Sequence, residues 1–243
     1  MKDTQIVILH GWTTKKNVEI AWQPFINLLR LAGFKVTFLF LPGLTQPLDS
    51  SWSLDQYVEW VCQQIESKKP CILLGHSFGG QIATRLASAH PDLISRLVLI
   101  DSSGIPDDRW FKRVKRLFFL ILAKCGKNIP YTKQLKKLLY RFAREQDYYQ
   151  ATDMQKETMR QVIREDLRFD AAKITTSTLL IWGVEDTITP LFMGRKLLSL
   201  ITHSSLLLIE GARHSPQYTH PKQVADTLLA WIKQIDSERK IEK

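Results

Sequence analysis

Residues 71–80 read Cys71-Ile72-Leu73-Leu74-Gly75-His76-Ser77-Phe78-Gly79-Gly80. Four apolar residues predict a buried strand over Cys71–Leu74, and Gln81–Ala89 carries the apolar spacing of a helix. Between them the chain must turn from strand to helix within a few residues. A serine at the tip of so sharp a turn is strained, with its Oγ exposed. Gly75 and Gly79 remove side chains that would collide as the strand and helix pack closely. Phe78 falls at the helix N-terminus, where its N–H can meet a developing negative charge. This strand–turn–helix unit marks Ser77 as a candidate nucleophile and predicts a strand–helix alternation around it.

That alternation extends in both directions. Strands are expected at residues 5–9, Val36–Leu41 and Leu97–Asp101, then again at Leu179–Trp182 and Leu206–Ile209. Helices are expected over Ala21–Leu31, from Ser53 to about Glu66, over Pro190–Leu200 and over Pro221–Ile235. Ser53 can cap the second of these, with Leu54, Tyr57, Val58, Val61 and Ile65 on one face. Thr189-Pro190 and His220-Pro221 place proline at helix starts, where its missing N–H costs nothing. The strands are continuous apolar runs, as in a parallel sheet covered on both faces. Residues 104–172 interrupt the pattern with helical spacing alone. The expected fold is therefore α/β, a mostly parallel sheet with helices on both faces. Residues 1–103 and 173–243 form its core, and 104–172 a helical cap inserted over the C-terminal edge of the sheet. Asp236–Lys243 is charged and expected to fray.

The 243 residues suit a single α/β unit, and 44% are hydrophobic. The longest apolar run, Leu117–Ala123, is too short to span a bilayer, which takes ~20 residues. The N-terminus passes from Met1-Lys2-Asp3-Thr4 into Ile6-Val7-Ile8-Leu9 with no leader-like apolar region, and Cys62, Cys71 and Cys125 have no CxxC spacing. A cytoplasmic location is the expectation. The net charge is +10, and its source is local. Arg109–Arg144 holds twelve Lys or Arg and no acid, while the rest of the chain carries 22 basic residues against 24 acidic. A solvated helix surface is the plainer reading of this segment; because mixed signs are usual on solvated helices, the alternative is a contact for a membrane surface, an acidic carrier protein or an anionic substrate. Its aromatics fall at core-like helical spacing, so no nucleic acid is expected. No HExxH, Walker loop, GxGxxG or paired-cysteine metal site occurs, and neither metal nor cofactor is expected.

A serine hydroxyl needs a base to become a nucleophile near neutral pH. Six histidines are available. His10 and His76 belong to motif loops, His90 and His203 to helix ends, and His220 to a turn. His214, in Glu210-Gly211-Ala212-Arg213-His214-Ser215-Pro216, follows the last strand at the same sheet edge as Ser77. The base in turn needs a carboxylate to fix its tautomer. Asp186, in Gly183-Val184-Glu185-Asp186, gives the chain order Ser77, Asp186, His214 that this fold uses. Asp101 at the end of the fourth strand competes for the role, and Glu185 does so more weakly. Asp101 otherwise reads as a buttress for the elbow or the cap. His10-Gly11-Trp12 ends the first strand, and the Trp12 N–H is the candidate second oxyanion donor beside that of Phe78.

Taken together, His10-Gly11-Trp12, Leu41-Pro42-Gly43, Gly75–Gly80, Gly183–Asp186 and Gly211–His214 resemble the α/β-hydrolase superfamily over nearly the whole chain. The cap followed by Ile181-Trp182-Gly183 is similar to the esterase, lipase and peroxidase-like members. His10-Gly11-Trp12 also resembles carboxylesterases that cleave acyl-carrier-protein methyl esters. A serine at position 77 argues against the dehalogenase branch, which needs an aspartate there. One departure concerns the substrate side: the family's Pro-Gly-x-Gly-x-Ser turn here runs Pro42-Gly43-Leu44-Thr45-Gln46-Pro47. The resemblance implies a carboxylic ester hydrolase working through an acyl-enzyme. Trp110, Phe111, Phe118, Leu138, Leu139 and Phe142 of the cap are expected to supply an apolar acyl or aryl pocket. A lactone or thioester substrate would suit the same residues. Outside enzymes, the alternative is a silent small-ligand receptor on this fold.

Overall fold

The computed structural model describes residues 5–13, 17–46, 48–106 and 152–241. Six strands form one sheet: β1 (Gln5–Leu9), β2 (Lys35–Leu39), β3 (Cys71–His76), β4 (Ile94–Ile100), β5 (Thr178–Gly183) and β6 (Ser204–Ile209). Their order is β2-β1-β3-β4-β5-β6, and every neighbouring pair is parallel. The described helices are α1 (Val18–Leu31), α2 (Leu54–Ile65), α3 (Phe78–Ala89), α4 (Asp153–Val162), α5 (Arg168–Lys173), α6 (Leu191–Leu200), α7 (Pro216–Thr219) and α8 (Pro221–Ile241).

The unbroken apolar strands follow from burial on both sides. Val7, Leu9, Leu73, Leu97, Leu99, Leu180 and Trp182 face a core shared with α2, α3 and α6. The alternate residues Ile6, Ile8, Ile72, Leu74, Val98, Ile100, Leu179 and Ile181 face a second core with α1 and α8. The two central strands β3 and β4 are buried almost throughout, whereas edge strand β6 leaves Leu207 and Leu208 partly exposed. Ser53 caps α2 through a reciprocal capping box with Gln56, and the buried residues of α2 are the five expected of its inner face.

Boundaries differ where tertiary contacts extend an element. β3 runs past Leu74 because Gly75 and His76 pair with Leu99 and Ile100. α3 starts at Phe78, directly after Ser77. Pro190 is the N-cap of α6 and not its first residue. The expected fraying from Asp236 is corrected: α8 continues to Ile241. An ion pair from Arg96 on β4 to Asp236, with Gln234–Glu238 and Lys233–Ser237 hydrogen bonds, supports the extra turns.

The C-terminal part of the expected cap, from residue 152, is tied to the core. Gln155 Nε2 donates to the Gly43 carbonyl at 2.8 Å, the Trp52 N–H donates to Thr158 Oγ1 at 3.2 Å, and Gln81 Nε2 donates to the Val162 carbonyl at 2.8 Å. Leu167, Ala171 and Ile174 are buried in the α2–α3 core, so the expected boundary at 172/173 falls within the packed helix α5. Most of the expected cap, with its apolar residues and its basic segment, lies outside the described residues.

Candidate active site

All six strands are parallel, so their C-terminal ends share one edge of the sheet. His10 follows β1, Ser77 follows β3, Asp101 follows β4, Asp186 lies three residues beyond β5, and His214 lies five beyond β6. β1 pairs with β2 on one side and β3 on the other. The strand order therefore reverses between β1 and β3, where open α/β sheets leave a crevice for ligands.

Ser77 sits at φ +53°, ψ −115°, a backbone conformation that L-residues rarely adopt. The turn is as tight as the glycines suggest: a Cβ on Gly79 would lie 2.2 Å from the Leu9 carbonyl oxygen, and one on Gly75 2.4 Å from the Gly79 oxygen. The Ser77 N–H is held by the Ile100 carbonyl at 3.1 Å. Phe78 opens α3, so its N–H lacks an intrahelical acceptor.

The loop after β1 lies against this elbow. A Cβ on Gly11 would come within 3.1 Å of Ser77 Cβ, and the Trp12 and Phe78 rings meet edge-on at 5.9 Å. His10 is buried and stacks on Phe38, with its Nε2 accepting from the Leu41 N–H at 3.1 Å. That leaves Nδ1 to donate to the Gly11 carbonyl at 2.7 Å. Burial holds the His10 pKa down at about 4, which keeps the ring neutral in this tautomer. The ring thereby links the loops after β1 and β2.

The carboxylate that meets His214 is Asp186: its Oδ2 lies 2.8 Å from His214 Nδ1. Asp186 is itself held from three directions. Its Oδ1 accepts the N–H groups of Ile188 at 2.7 Å and Thr189 at 3.1 Å, and the Thr189 hydroxyl lies 2.6 Å from Oδ2. Burial alone would raise its pKa, but the bonds from His214, Thr189 and Ile188 outweigh it and keep the carboxyl below the usual range. Glu185 instead faces Arg213 on the exposed surface at 3.7 Å.

Asp101 faces other partners. Its Oδ1 accepts the Gly183 N–H at 2.9 Å and its Oδ2 the Ser215 N–H at 3.0 Å. Burial, reinforced by the nearby Asp186 charge, pushes its pKa up to about 7. Two neighbouring carboxyls are thus driven apart, Asp186 towards the anion and Asp101 towards the acid form. His76 is buried with its Nε2 3.2 Å from Ser215 Oγ, and its ring centroid is 4.9 Å from that of His214. Burial first, then the neighbouring His214 and His10, holds the His76 pKa well below the usual imidazole value.

His76, Asp101 and His214 each offer a donor atom within 4.8 Å of the others, the one such group among the described residues. Both Asp101 oxygens, His76 Nε2 and His214 Nδ1 are already bonded to protein partners. The group forms a hydrogen-bond network in which His76 Nδ1 is buried without a hydrogen-bond partner.

Sequence reasoning missed Thr189 and Ser215. Asp186-Thr187-Ile188-Thr189 is an Asx-type pattern, in which an aspartate accepts the N–H two residues on, so Thr189 had a local signal. Ser215 had none, because its partners, His76 at the end of β3 and Asp101 just after β4, are distant in sequence.

This architecture agrees with comparison to known proteins: the chain belongs to the alpha/beta hydrolase family, whose sequence profile matches residues 6–227. It is 28% identical over 94% of its length to the biotin biosynthesis bifunctional protein BioHC of Teredinibacter turnerae, and spans 44% of that longer chain. It is also 28% identical to the pimeloyl-[acyl-carrier protein] methyl ester esterase of Photobacterium profundum, over 95% of both chains. Among solved structures it resembles an α/β hydrolase from a Mar Chica lagoon metagenome, with TM-score 0.68, 24% identity and coverage of 97% and 93%. It resembles the BpoC protein of Mycobacterium tuberculosis with TM-score 0.71, 18% identity and coverage of 96% and 92%. No helix among the described residues is long and apolar enough to cross a membrane.

Proposed function

We propose that this protein is a serine carboxylic ester hydrolase in which Ser77 is the nucleophile, His214 the base and Asp186 the acid that orients it. The observation that carries the reading is the 2.8 Å His214–Asp186 hydrogen bond at the sheet edge that also bears the positive-φ Ser77. Ser77 Oγ attacks the ester carbonyl as His214 Nε2 takes its proton. The oxyanion is met by the N–H groups of Phe78 and Trp12, the latter on the loop packed against the elbow. His214, now an imidazolium paired with Asp186, protonates the departing alcohol. Water then attacks the acyl-enzyme by the same steps in reverse.

The relatives that hydrolyse a methyl ester on an acyl carrier protein support esters over other acyl substrates. They also support a more specific second reading, an acyl ester carried on an acidic carrier protein, because Arg109–Arg144 brings twelve cations and no acid to the chain. Lactones and thioesters would use the same groups.

The test is labelling by a fluorophosphonate probe together with turnover of a panel of p-nitrophenyl esters, lactones, acyl-thioesters and carrier-linked esters. Ser77→Ala is expected to abolish labelling and to lower ester turnover by ~10³-fold or more while the protein stays folded. Retention of more than about a tenth of the activity would be far above what loss of a triad nucleophile allows and would remove Ser77 from the role.

A further inference from the structure

Among the described residues, only three non-glycine residues have positive φ: Ser77 at +53°, Asp101 at +42° and Ser215 at +92°. Each such backbone costs energy and persists only where its surroundings over-determine it. The three come from separate parts of the chain, and one network of bonds joins them. The Ser77 N–H donates to Ile100, the residue before Asp101, and the Ser103 N–H donates back to the Ser77 carbonyl at 3.1 Å. Asp101 Oδ2 takes the Ser215 N–H, and its Oδ1 takes the Gly183 N–H at the root of the Asp186 loop. The Asp101 carbonyl lies 3.0 Å from the Thr189 hydroxyl, which also touches Asp186. His76, the residue before Ser77, lies 3.2 Å from Ser215 Oγ through its Nε2.

Ser215 is thus held at two points, its N–H by Asp101 just after β4 and its hydroxyl by His76 at the end of β3. It is also the residue after His214, so its backbone direction fixes where the imidazole can lie. Resting on the assignment of Ser77, His214 and Asp186 as nucleophile, base and acid, we propose that Asp101 and His76 are positioning residues: together they clamp Ser215 and so register the base against the nucleophile elbow. The clamp explains why a strained serine stands where glycine would cost nothing. A near-attack geometry is sensitive to displacements of an ångström, so a base tethered to both neighbouring strands has a direct bearing on rate.

The clamp is also sensitive to protons. The groups facing the Asp101 carboxyl are the Asp186 carboxylate, the His214 and His76 rings, and the N–H groups of Gly183 and Ser215. Burial, with the Asp186 charge adding to it, brings Asp101 to about 7. As pH falls through that value, one oxygen becomes a hydroxyl and can no longer accept from both N–H groups. The clamp is complete above about 7 and loosens below it.

Two variants test this. Ser215→Gly removes the hydroxyl that His76 engages and relieves the positive-φ strain. The thermal midpoint should stay at or above that of the native protein, while kcat on a small ester falls ~10-fold or more and KM changes little. Asp101→Asn keeps the size but loses one acceptor and the charge. It should lower the plateau kcat and move the acid limb of kcat/KM to lower pH, because both a titrating group and a negative charge beside His214 are gone. A purely structural role would lower the melting temperature and leave the pH profile and the split between kcat and KM alone. Native kcat in Ser215→Gly would overturn the clamp, and so would an unshifted acid limb in a folded Asp101→Asn. If Asp101→Asn does not fold, Ser215→Gly decides alone. Ser77→Ala assayed on the same substrate separates the two failures. An inert Ser77→Ala beside a fully active Ser215→Gly sinks only the clamp, whereas an active Ser77→Ala sinks the triad and the clamp with it.

Discussion

Asp186 and Asp101 end up in one network with opposite charge preferences, and the reason is what each carboxyl accepts. Asp186 gathers two N–H groups, a hydroxyl and the His214 ring, enough to outweigh burial. Asp101 has two backbone N–H groups and a carboxylate neighbour, and burial prevails. In the proposed reaction an anionic Asp186 accepts the hydrogen bond from His214 Nδ1–H and stabilises the imidazolium that forms on attack. Asp186→Asn offers an amide that favours the wrong tautomer and carries no charge, so kcat on p-nitrophenyl esters should fall by ~10³-fold or more. Asp101→Asn, acting through the backbone of Ser215 and Gly183 and through its charge near His214, should cost far less under the same assay. A reversed order of the two effects would make Asp101 the acid of the triad.

At the scale of elements, one cation joins α3 to α2 and α5. Arg85 on α3 meets Asp55 of α2 at 2.6 Å, Glu165 at 2.8 Å and Asp170 of α5 at 2.9 Å. The three contacts are unequal. The Asp55 side chain is 75% exposed, so water screens it, whereas that of Asp170 is 16% exposed. Asp55→Asn should change unfolding free energy by no more than about 0.5 kcal/mol. Arg85→Met leaves Asp170 without its cation and should cost about 1–3 kcal/mol in urea unfolding, less than for a fully buried pair because Glu165 and Asp55 reach solvent. Equal effects from the two substitutions would mean that the Arg85–Asp170 contact contributes nothing. The elbow between β3 and α3 is governed differently, by contact of backbone with backbone. Gly79 has no room for a Cβ beside the Leu9 oxygen, which no flexible side chain can relieve.

For the molecule as a whole, charge is divided between a near-neutral core and a basic segment at Arg109–Arg144. An acidic carrier would be drawn by that segment, and the attraction is screened over about 8 Å at physiological salt. Turnover of a carrier-linked acyl ester should therefore weaken steeply as salt rises, while turnover of small neutral esters stays nearly constant. The same salt response for both substrates would remove the carrier from the reading.

The sequence by itself determined the sheet, its coverage on both faces and the place of Ser77, since each rests on a local signal. Continuous apolar strands and the β3–Ser77–α3 turn are written in neighbouring residues, and so are the Ser53 cap and the inner face of α2. Parallel strands then send every loop that carries chemistry to one edge, so His10, Asp186 and His214 could be named from chain order. Only the tertiary structure shows which of Asp186 and Asp101 bonds His214. Both lie just beyond strands β5 and β4, and the choice depends on whether the partner is His214 Nδ1 or the backbone of Gly183 and Ser215. Ser215 and the turns of α8 beyond Asp236 were likewise illegible, because their partners His76, Asp101 and Arg96 are more than a hundred residues away in sequence. Periodicity reports which way a side chain faces. It carries no record of which distant strand end it will meet, and that meeting places His214 beside Asp186.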